Sequence, residues 1–175
     1  RRLMRVLRLI RPRQFRWDQE PEPCPGPGEV LIAIQAVGVC ASDIHTYARG
    51  QLGTTLLESP LVLGHEASGV IRGLGPGVQG LQAGQPVAID PAIPCGTCER
   101  CLEGNPNLCE TLKFLGTWPF DGALRECLVH PANLVHPLDK ELSAVDGAML
   151  EPLGVALHSA DLAHLSPGCS VSVHG

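Results

Sequence analysis

The stretch EVLIAIQAVGV, residues 29–39, predicts a long and largely buried β-strand. The eight residues before it, PEPCPGPG, contain four prolines and two glycines, which exclude a helix or the interior of a sheet. The strand leads directly into Cys40, so a side chain that can bind a metal follows a strand end. Binding side chains are commonly placed at such ends, because the scaffold beneath them is rigid.

Short strands also dominate the sequence on either side of this stretch. Alternating polar and apolar residues over positions 4–10 predict one strand of an edge hairpin. Further strands, separated by glycine and proline turns, are predicted at Ala67–Leu74, Pro86–Ile89, 122–128 and 133–136. The 20 glycines and 16 prolines agree with many turns, so we expect a mainly β fold.

The last part of the chain changes to a helical pattern. Ser143 is a predicted N-cap, and apolar residues recur after it at helical spacing. Ser-Pro-Gly at 166–168 ends the helices, and residues 169–175 predict the start of another strand.

The charge distribution is uneven, because seven of the thirteen basic residues lie in the first sixteen positions of a chain whose net charge is −5. A transit peptide or a nucleic-acid-binding arm would share this feature, but the alternation favours a solvated hairpin. The acidic remainder argues against a nucleic-acid partner. No run of about eighteen apolar residues suggests a membrane span, so we expect a soluble, cytoplasmic protein.

A cluster of four of the eight cysteines, Cys95, Cys98, Cys101 and Cys109, follows the pattern C-x₂-C-x₂-C-x₇-C. This spacing can surround one zinc ion with four thiolates, and no position is then left for a substrate. The ion would therefore be structural and would order the loop of residues 91–115. An iron–sulfur cluster and a pair of disulfides are the alternatives that the spacing leaves open.

A second group of polar residues is dispersed along the chain: Cys40, His65, Glu66 and Glu151. Each alone is more simply a buried thiol, a core histidine or a surface carboxylate. Together they offer the thiolate, imidazole and carboxylate ligands of a catalytic zinc with one exchangeable position. Ser42 and His45 could carry a proton to solvent and Asp43 could orient a ligating imidazole, or Ser42 and Asp43 merely cap a turn.

Three motifs, GVCASDIH at 38–45, VLGHEASGV at 62–70 and EPL at 151–153, resemble the medium-chain zinc-dependent alcohol dehydrogenase family. Residues 49–69 and the DGAL motif at 121–124 resemble its sorbitol and polyol dehydrogenase branch in particular.

The resemblance implies a GroES-like irregular β-barrel with a zinc lobe over residues 1–152. A connecting helix and the first strand of a nucleotide-binding domain would occupy 153–175, with Gly175 as the first glycine of its fingerprint. On this view the chain stops before the NAD(P) site is complete, and we expect it to bind zinc without dehydrogenase turnover.

The resemblance also assigns roles to single residues. Cys40, His65 and Glu66 become the catalytic zinc ligands, and Glu151 becomes an alternative ligand or the partner of a zinc-bound water. Ser42 and His45 become the proton relay, and Asp43 becomes the partner of His65. The four clustered cysteines, Cys95, Cys98, Cys101 and Cys109, fall on the structural zinc lobe.

The implied reaction is NAD- or NADP-linked oxidation of a polyol secondary alcohol to a ketone, by an enzyme that is a homodimer or homotetramer when complete. Threonine, butanediol, glucose and simple alcohol dehydrogenases are the alternatives within the family, and a non-enzymatic zinc-binding module is the alternative outside it. Thr46 and Trp118 depart from the polyol pattern, and we expect Trp118 to narrow or reshape the substrate pocket.

Overall fold

A computed structural model describes residues 2–58 and 60–174 and shows a mainly β fold with a few short helices. The longer strands are β1 (Leu3–Arg11), β2 (Gln14–Pro21), β3 (Glu29–Val37), β7 (Ala67–Leu74), β8 (Pro86–Ile89), β11 (Cys127–Pro131) and β12 (Val135–Pro137). Two-residue strands are β4 (Gln51–Leu52), β5 (Thr55–Leu56), β6 (Leu61–Val62), β9 (Ala92–Ile93) and β10 (Lys113–Phe114). The α-helices are α1 (Ala41–Arg49), α2 (Glu99–Leu102), α3 (Ala144–Ala148) and α4 (Leu150–Leu162).

A five-stranded antiparallel sheet in the order β11-β3-β7-β8-β12 forms the body of the fold. Strand β3, which lies between β11 and β7, is buried on both faces. Val30 and Ile32 pack into one apolar cluster, whereas Leu31 packs with Met4 and Val6 of β1 on the opposite face. Two-sided burial explains why the sequence of β3 is almost continuously apolar.

The predicted hairpin is confirmed, since β1 pairs with β2, and β1 also pairs with β6 in a three-stranded sheet. Arg8 departs from the expectation of a solvated hairpin, because its guanidinium is largely covered and forms ion pairs with Asp18, Glu20 and Asp121. The hairpin is thereby tied to the loop that carries Asp121.

Helix α1 was not among the predicted elements, although it carries several predicted site residues. It begins after Cys40, where Asp43 accepts a hydrogen bond from the Cys40 amide, and ends at Gly50 with φ of 71°. A Cβ at Gly50 would lie 2.7 Å from Pro12 of the hairpin. Glycine therefore permits both the left-handed helix end and the close approach of the hairpin.

Two predicted strands are shifted. The strand predicted at 122–128 is observed at Cys127–Pro131, and the one predicted at 133–136 begins at Val135, after the 3₁₀ turn Ala132–Leu134. Residues 122–124 instead donate backbone hydrogen bonds to Val62 at the end of β6 and to the two residues that follow it. An apolar sequence alone does not reveal which segment its backbone will pair with.

The predicted strand at 169–175 is wrong for residues 169–174, which have no strand structure, and Gly175 lies outside the described residues. A strand needs a neighbour to satisfy its backbone groups, and in the described part of the chain these residues pair with none.

The predicted N-cap Ser143 is confirmed, since its hydroxyl accepts from the Asp146 amide at the start of α3. Helix α3 packs against β3, β7 and β8, whereas α4 exposes most of its apolar side chains. The boundary at residue 152 falls inside α4, and the division into two domains stays a prediction. Within the described residues, every helix is too short or too polar to cross a membrane.

Burial of His130 on β11 makes the stability of the fold depend on pH. The Nε2 atom donates to the Asp90 carbonyl at 2.8 Å, because a carbonyl can only accept. Burial lowers the pKa of His130, against smaller opposing effects of the Asp90 carbonyl and the Asp90 and Glu29 carboxylates. As the pH falls, His130 therefore takes up a proton at a higher pH in the unfolded chain than in the folded one.

We expect the free energy of unfolding to decrease as the pH falls below about 6.5, by up to about 1.4 kcal/mol per pH unit until the folded pKa is reached. The His130→Gln variant should lose this dependence, because glutamine can keep a donor near Asp90 without titrating. Urea unfolding between pH 5 and 8 measures it, with the exposed His158→Gln as the control. Equal slopes for His130→Gln and the unsubstituted protein would contradict the assignment.

Candidate metal centres

The four clustered cysteines lie together in the loop that contains α2. The Sγ atoms of Cys98 and Cys101 are 3.5 Å apart, those of Cys98 and Cys109 are 3.9 Å apart, and those of Cys95 and Cys101 are 4.0 Å apart. Zinc–sulfur bonds of about 2.3 Å in a tetrahedron place sulfurs about 3.8 Å apart. The observed spacing fits a single tetrahedral ion, whereas a disulfide would need a separation of about 2.05 Å.

The backbone of this loop favours thiolates. Amides of Thr97 and Cys98 donate to the Cys95 sulfur and lower the pKa of Cys95 to about 5. Burial and the neighbouring sulfurs raise the pKa of Cys101 to about 12. Four negative sulfurs cannot share this volume unless a cation balances them, so the donor set fits a divalent ion.

A second cluster joins residues that are distant in the sequence. One ligand atom each from Cys40, His65 and Glu66 lie within 4.8 Å of one another, and both His65 and Glu66 are buried. One thiolate, one imidazole and one carboxylate are three of the four ligands of a tetrahedral zinc, which leaves one position for a substrate. The buried His65 Nδ1 makes no hydrogen bond within the described chain. An unpaired buried nitrogen lowers the stability of the fold, and a metal ion or a hydrogen-bond partner would remove this penalty.

Neighbouring strands bring these ligands together. Cys40 follows β3 and caps α1, whereas His65 and Glu66 lie between β6 and β7. Because β3 and β7 are antiparallel neighbours, the end of β3 meets the start of β7, and the Gly38 amide donates to the Glu66 carbonyl at 2.7 Å.

The Asp43 carboxylate connects the two segments that carry the ligands. It accepts from the Cys40 amide at 3.2 Å and from the Gly64 amide at 3.1 Å. Its Oδ1 lies 3.8 Å from His65 Nδ1, which is too long for a hydrogen bond. Asp43 thus holds the backbone beside both ligands through its two amide contacts, and its role as the partner of the His65 imidazole stays a prediction.

The two residues of the predicted proton relay share α1 but are not connected to each other. Ser42 is half-buried and His45 is exposed, and neither side chain makes a hydrogen bond to any residue of 2–58 or 60–174. The Ser42 carbonyl accepts from the Thr46 hydroxyl at 2.9 Å. A relay through these residues would need a bridging water or substrate hydroxyl.

Glu151, at the start of α4, is not part of the three-residue cluster but lies near it. It lines a cavity of about 420 Å³ together with Asp90, Phe114 and His136. Burial raises the pKa of Glu151, the proximity of His65 lowers it, and Glu66 raises it further. Glu66 rather than Glu151 completes the three-residue cluster, and a role of Glu151 as a zinc ligand or as the partner of a zinc-bound water stays a prediction.

Phe114 is a site residue that the sequence did not reveal. Its ring centroid lies 5.4 Å from that of His65, and it lines the same cavity as Glu151. It belongs to β10, which pairs with β9, so only the pairing of two short strands brings it to the site. No motif in the sequence marks it.

The two departures from the polyol pattern lie away from this cavity. Trp118 packs against Leu9, Leu61 and Leu63, and with Thr46 it borders a separate, much smaller cavity. The expectation that Trp118 narrows the pocket is therefore wrong for the cavity beside Glu151, because the indole joins the core under the hairpin.

Gly38 provides the space that Glu66 occupies. A Cβ at Gly38 would lie 2.9 Å from the Glu66 Cβ and would overlap its carboxylate. We expect Gly38→Ala to displace Glu66 and to weaken zinc binding by the three-residue cluster about 10-fold to 100-fold, the range for disturbed support of metal ligands. Competition with a zinc chelator measures this affinity.

Gly73→Ala is the matched control, because a Cβ there would be 3.7 Å from Leu31, an ordinary contact in β7. Its zinc affinity should equal that of the unsubstituted protein. If Gly38→Ala also binds zinc normally, Glu66 is not a ligand in this position.

Comparison with known proteins agrees with this fold and these clusters. Residues 26–140 match the model of the alcohol dehydrogenase GroES-like domain. The chain is 42% identical over 163 residues to "Probable D-xylulose reductase A" of Aspergillus fumigatus, covering 93% of this chain and 46% of that protein.

Two solved structures from Escherichia coli are similar to the chain. Galactitol-1-phosphate dehydrogenase superposes with a TM-score of 0.83 at 32% identity, over 92% of this chain and 45% of that one. An alcohol dehydrogenase of strain CFT073 in complex with NADH superposes with a TM-score of 0.84 at 33% identity, over 94% and 47%.

The chain therefore belongs to the alcohol dehydrogenase GroES-like domain family. The resemblance of the motifs to the zinc-dependent medium-chain alcohol dehydrogenases is confirmed, and the similar proteins include a probable D-xylulose reductase and a galactitol-1-phosphate dehydrogenase. The chain spans about half the length of the curated relatives it matches, at 46% of the protein quoted above.

Proposed function

We propose that this chain carries the two zinc centres of a polyol dehydrogenase, and that the intact enzyme oxidises a secondary alcohol of a sorbitol- or xylitol-like polyol to a ketone with NAD or NADP. The observation that carries the proposal is the convergence of Cys40, His65 and Glu66 within 4.8 Å. The xylulose reductase relative and the NADH-bound neighbour support the substrate class and the cofactor.

Different residues of the chain have different roles in the proposed reaction. Cys40, His65 and Glu66 would hold a zinc ion, which supplies a Lewis acid that polarises the alcohol oxygen. Asp43 keeps the backbone of both ligand segments in place through its two amide contacts. Ser42 and His45 would move the hydroxyl proton towards solvent, since His45 is exposed.

The cavity beside the cluster would hold the substrate. Phe114 and Leu150 supply apolar walls. The Glu151 carboxyl, with its raised pKa, is a group that can take up a proton or accept a hydrogen bond from a substrate hydroxyl. The second cluster, made by Cys95, Cys98, Cys101 and Cys109, would hold a zinc ion that only orders its loop.

We also expect the intact enzyme to be a cytoplasmic homo-oligomer. The structure forms no disulfide among the eight cysteines, all of which lie in its described residues, as is usual in a reducing compartment.

Two measurements test the proposal. The zinc content should be two ions per chain, whereas a non-enzymatic module that uses only the four cysteines would hold one. The relative kcat/KM of the intact enzyme should be higher for sorbitol or xylitol than for a primary monoalcohol, threonine, butanediol or glucose. A clear preference for one of these would replace the polyol assignment by that member of the family.

A further inference from the structure

The three residues before the ligand pair His65 and Glu66 are held by a distant loop. The Gly122 amide donates to the Val62 carbonyl at 2.7 Å, and the amides of Ala123 and Leu124 donate to the carbonyls of Gly64 and Leu63 at 2.8 and 3.0 Å. Three consecutive backbone bonds therefore set the path of the chain into the metal cluster.

The side chain of Asp121 anchors this contact. Its Oδ1 accepts from the Val62 amide at 2.8 Å, and its Oδ2 accepts from Arg125 at 2.8 Å and from Arg8 at 3.1 Å. Hydrogen bonds that involve a carboxylate and two guanidinium groups are about twice as strong as neutral ones. The carboxylate thus fixes β6 to the loop and both to the hairpin.

The contact leaves little room for adjustment. A Cβ at Gly122 would lie 2.6 Å from the Leu63 carbonyl oxygen, and Gly64 has φ of +94°. Close backbone approach and a glycine-specific conformation restrict residues 62–64 to one arrangement. The positions of His65 and Glu66, which follow directly in the chain, are set by that arrangement.

We propose that Asp121 is a positioning residue for the metal cluster of Cys40, His65 and Glu66. It acts through the Val62 amide and touches no ligand, so its effect is on where His65 and Glu66 lie. Metal sites need their ligands within about 0.5 Å of the productive geometry. The inference rests on the proposed function, since it presumes that this cluster binds zinc.

The test compares three variants of the chain. Asp121→Ala removes the acceptor of the Val62 amide and should weaken zinc binding at the three-residue cluster about 10-fold to 100-fold. Asp121→Asn keeps an acceptor for that amide and should recover most of the affinity. Glu20→Gln removes another ion-pair partner of Arg8, without contact to Val62, and should bind zinc normally.

Zinc affinity is measured by chelator competition, and cobalt substitution gives an absorption spectrum that reports the ligand geometry. In Asp121→Ala the cobalt spectrum of the three-residue cluster should change while the four-cysteine centre keeps its ion. A merely structural role of Asp121 would affect both centres alike or lower the melting temperature alone.

Unchanged affinity and spectrum in Asp121→Ala would overturn the positioning role while the metal cluster itself stands. Equal losses in Glu20→Gln and Asp121→Ala would also overturn it, because the Arg8 ion pairs rather than the Val62 amide would then be responsible. If the unsubstituted chain binds zinc only at the four cysteines, the proposed catalytic site and this inference both fail.

Discussion

Replacing His65 by alanine should abolish zinc binding at the three-residue cluster and reduce kcat/KM of the intact enzyme at least about 1000-fold. His65 is buried and supplies the only imidazole of the cluster. Loss of a Lewis acid removes several kcal/mol of transition-state stabilisation, and about 4 kcal/mol corresponds to a factor of 1000. Metal analysis should show a decrease from two zinc ions per chain to one.

The control for this substitution is His158→Ala, because His158 is exposed on α4. It should retain both ions and the full rate. The zinc count separates loss of the metal from loss of the fold, because the four-cysteine centre should remain loaded in His65→Ala. Retention of two zinc ions by His65→Ala would show that the cluster uses other ligands.

Replacing Cys109 by serine should open the loop of residues 91–115. Cys109 is the buried member of the four, and its sulfur accepts from the Cys95 amide at 3.3 Å. Because binding of a structural zinc contributes directly to folding, its loss should destabilise the loop locally. Trypsin cleavage after the exposed Arg100 should become about 100-fold faster, which corresponds to about 2.7 kcal/mol.

Cys24→Ser is the control, because Cys24 is exposed and lies outside the cluster. Its cleavage rate and zinc content should not change. Unaltered cleavage after Arg100 in Cys109→Ser would show that the apolar contacts of the loop, not the ion, maintain its structure.

Some elements could be predicted because their signals are local. Strands β7 and β8 were predicted at their observed bounds, since glycine turns flank short apolar segments. The same holds for the Ser143 cap, whose partner Asp146 is three residues away. The spacing of the four cysteines is likewise contained in fifteen residues.

Other elements could not be predicted because distant contacts stabilise them. Helix α1 is short, and it buries Asp43 and Thr46 while Ile44 stays exposed, so its buried face carries no apolar pattern that would predict it. The hairpin, which is distant in the sequence, contacts α1 directly, since the Arg13 amide donates to the Tyr47 carbonyl at 2.7 Å. The strand at 122–128 was misplaced for a similar reason, as its first residues bond to residues 62–64.

By itself the sequence determined the mainly β class, the family and the candidate ligand residues, because these depend on residue types and short spacings. Only the tertiary structure decided that Glu66, and not Glu151, lies in one cluster with Cys40 and His65. It likewise decided that the Phe114 ring lies beside that of His65 and that Trp118 packs into the core under the hairpin. Strand pairing sets these distances, and it is a property of segments far apart in the chain.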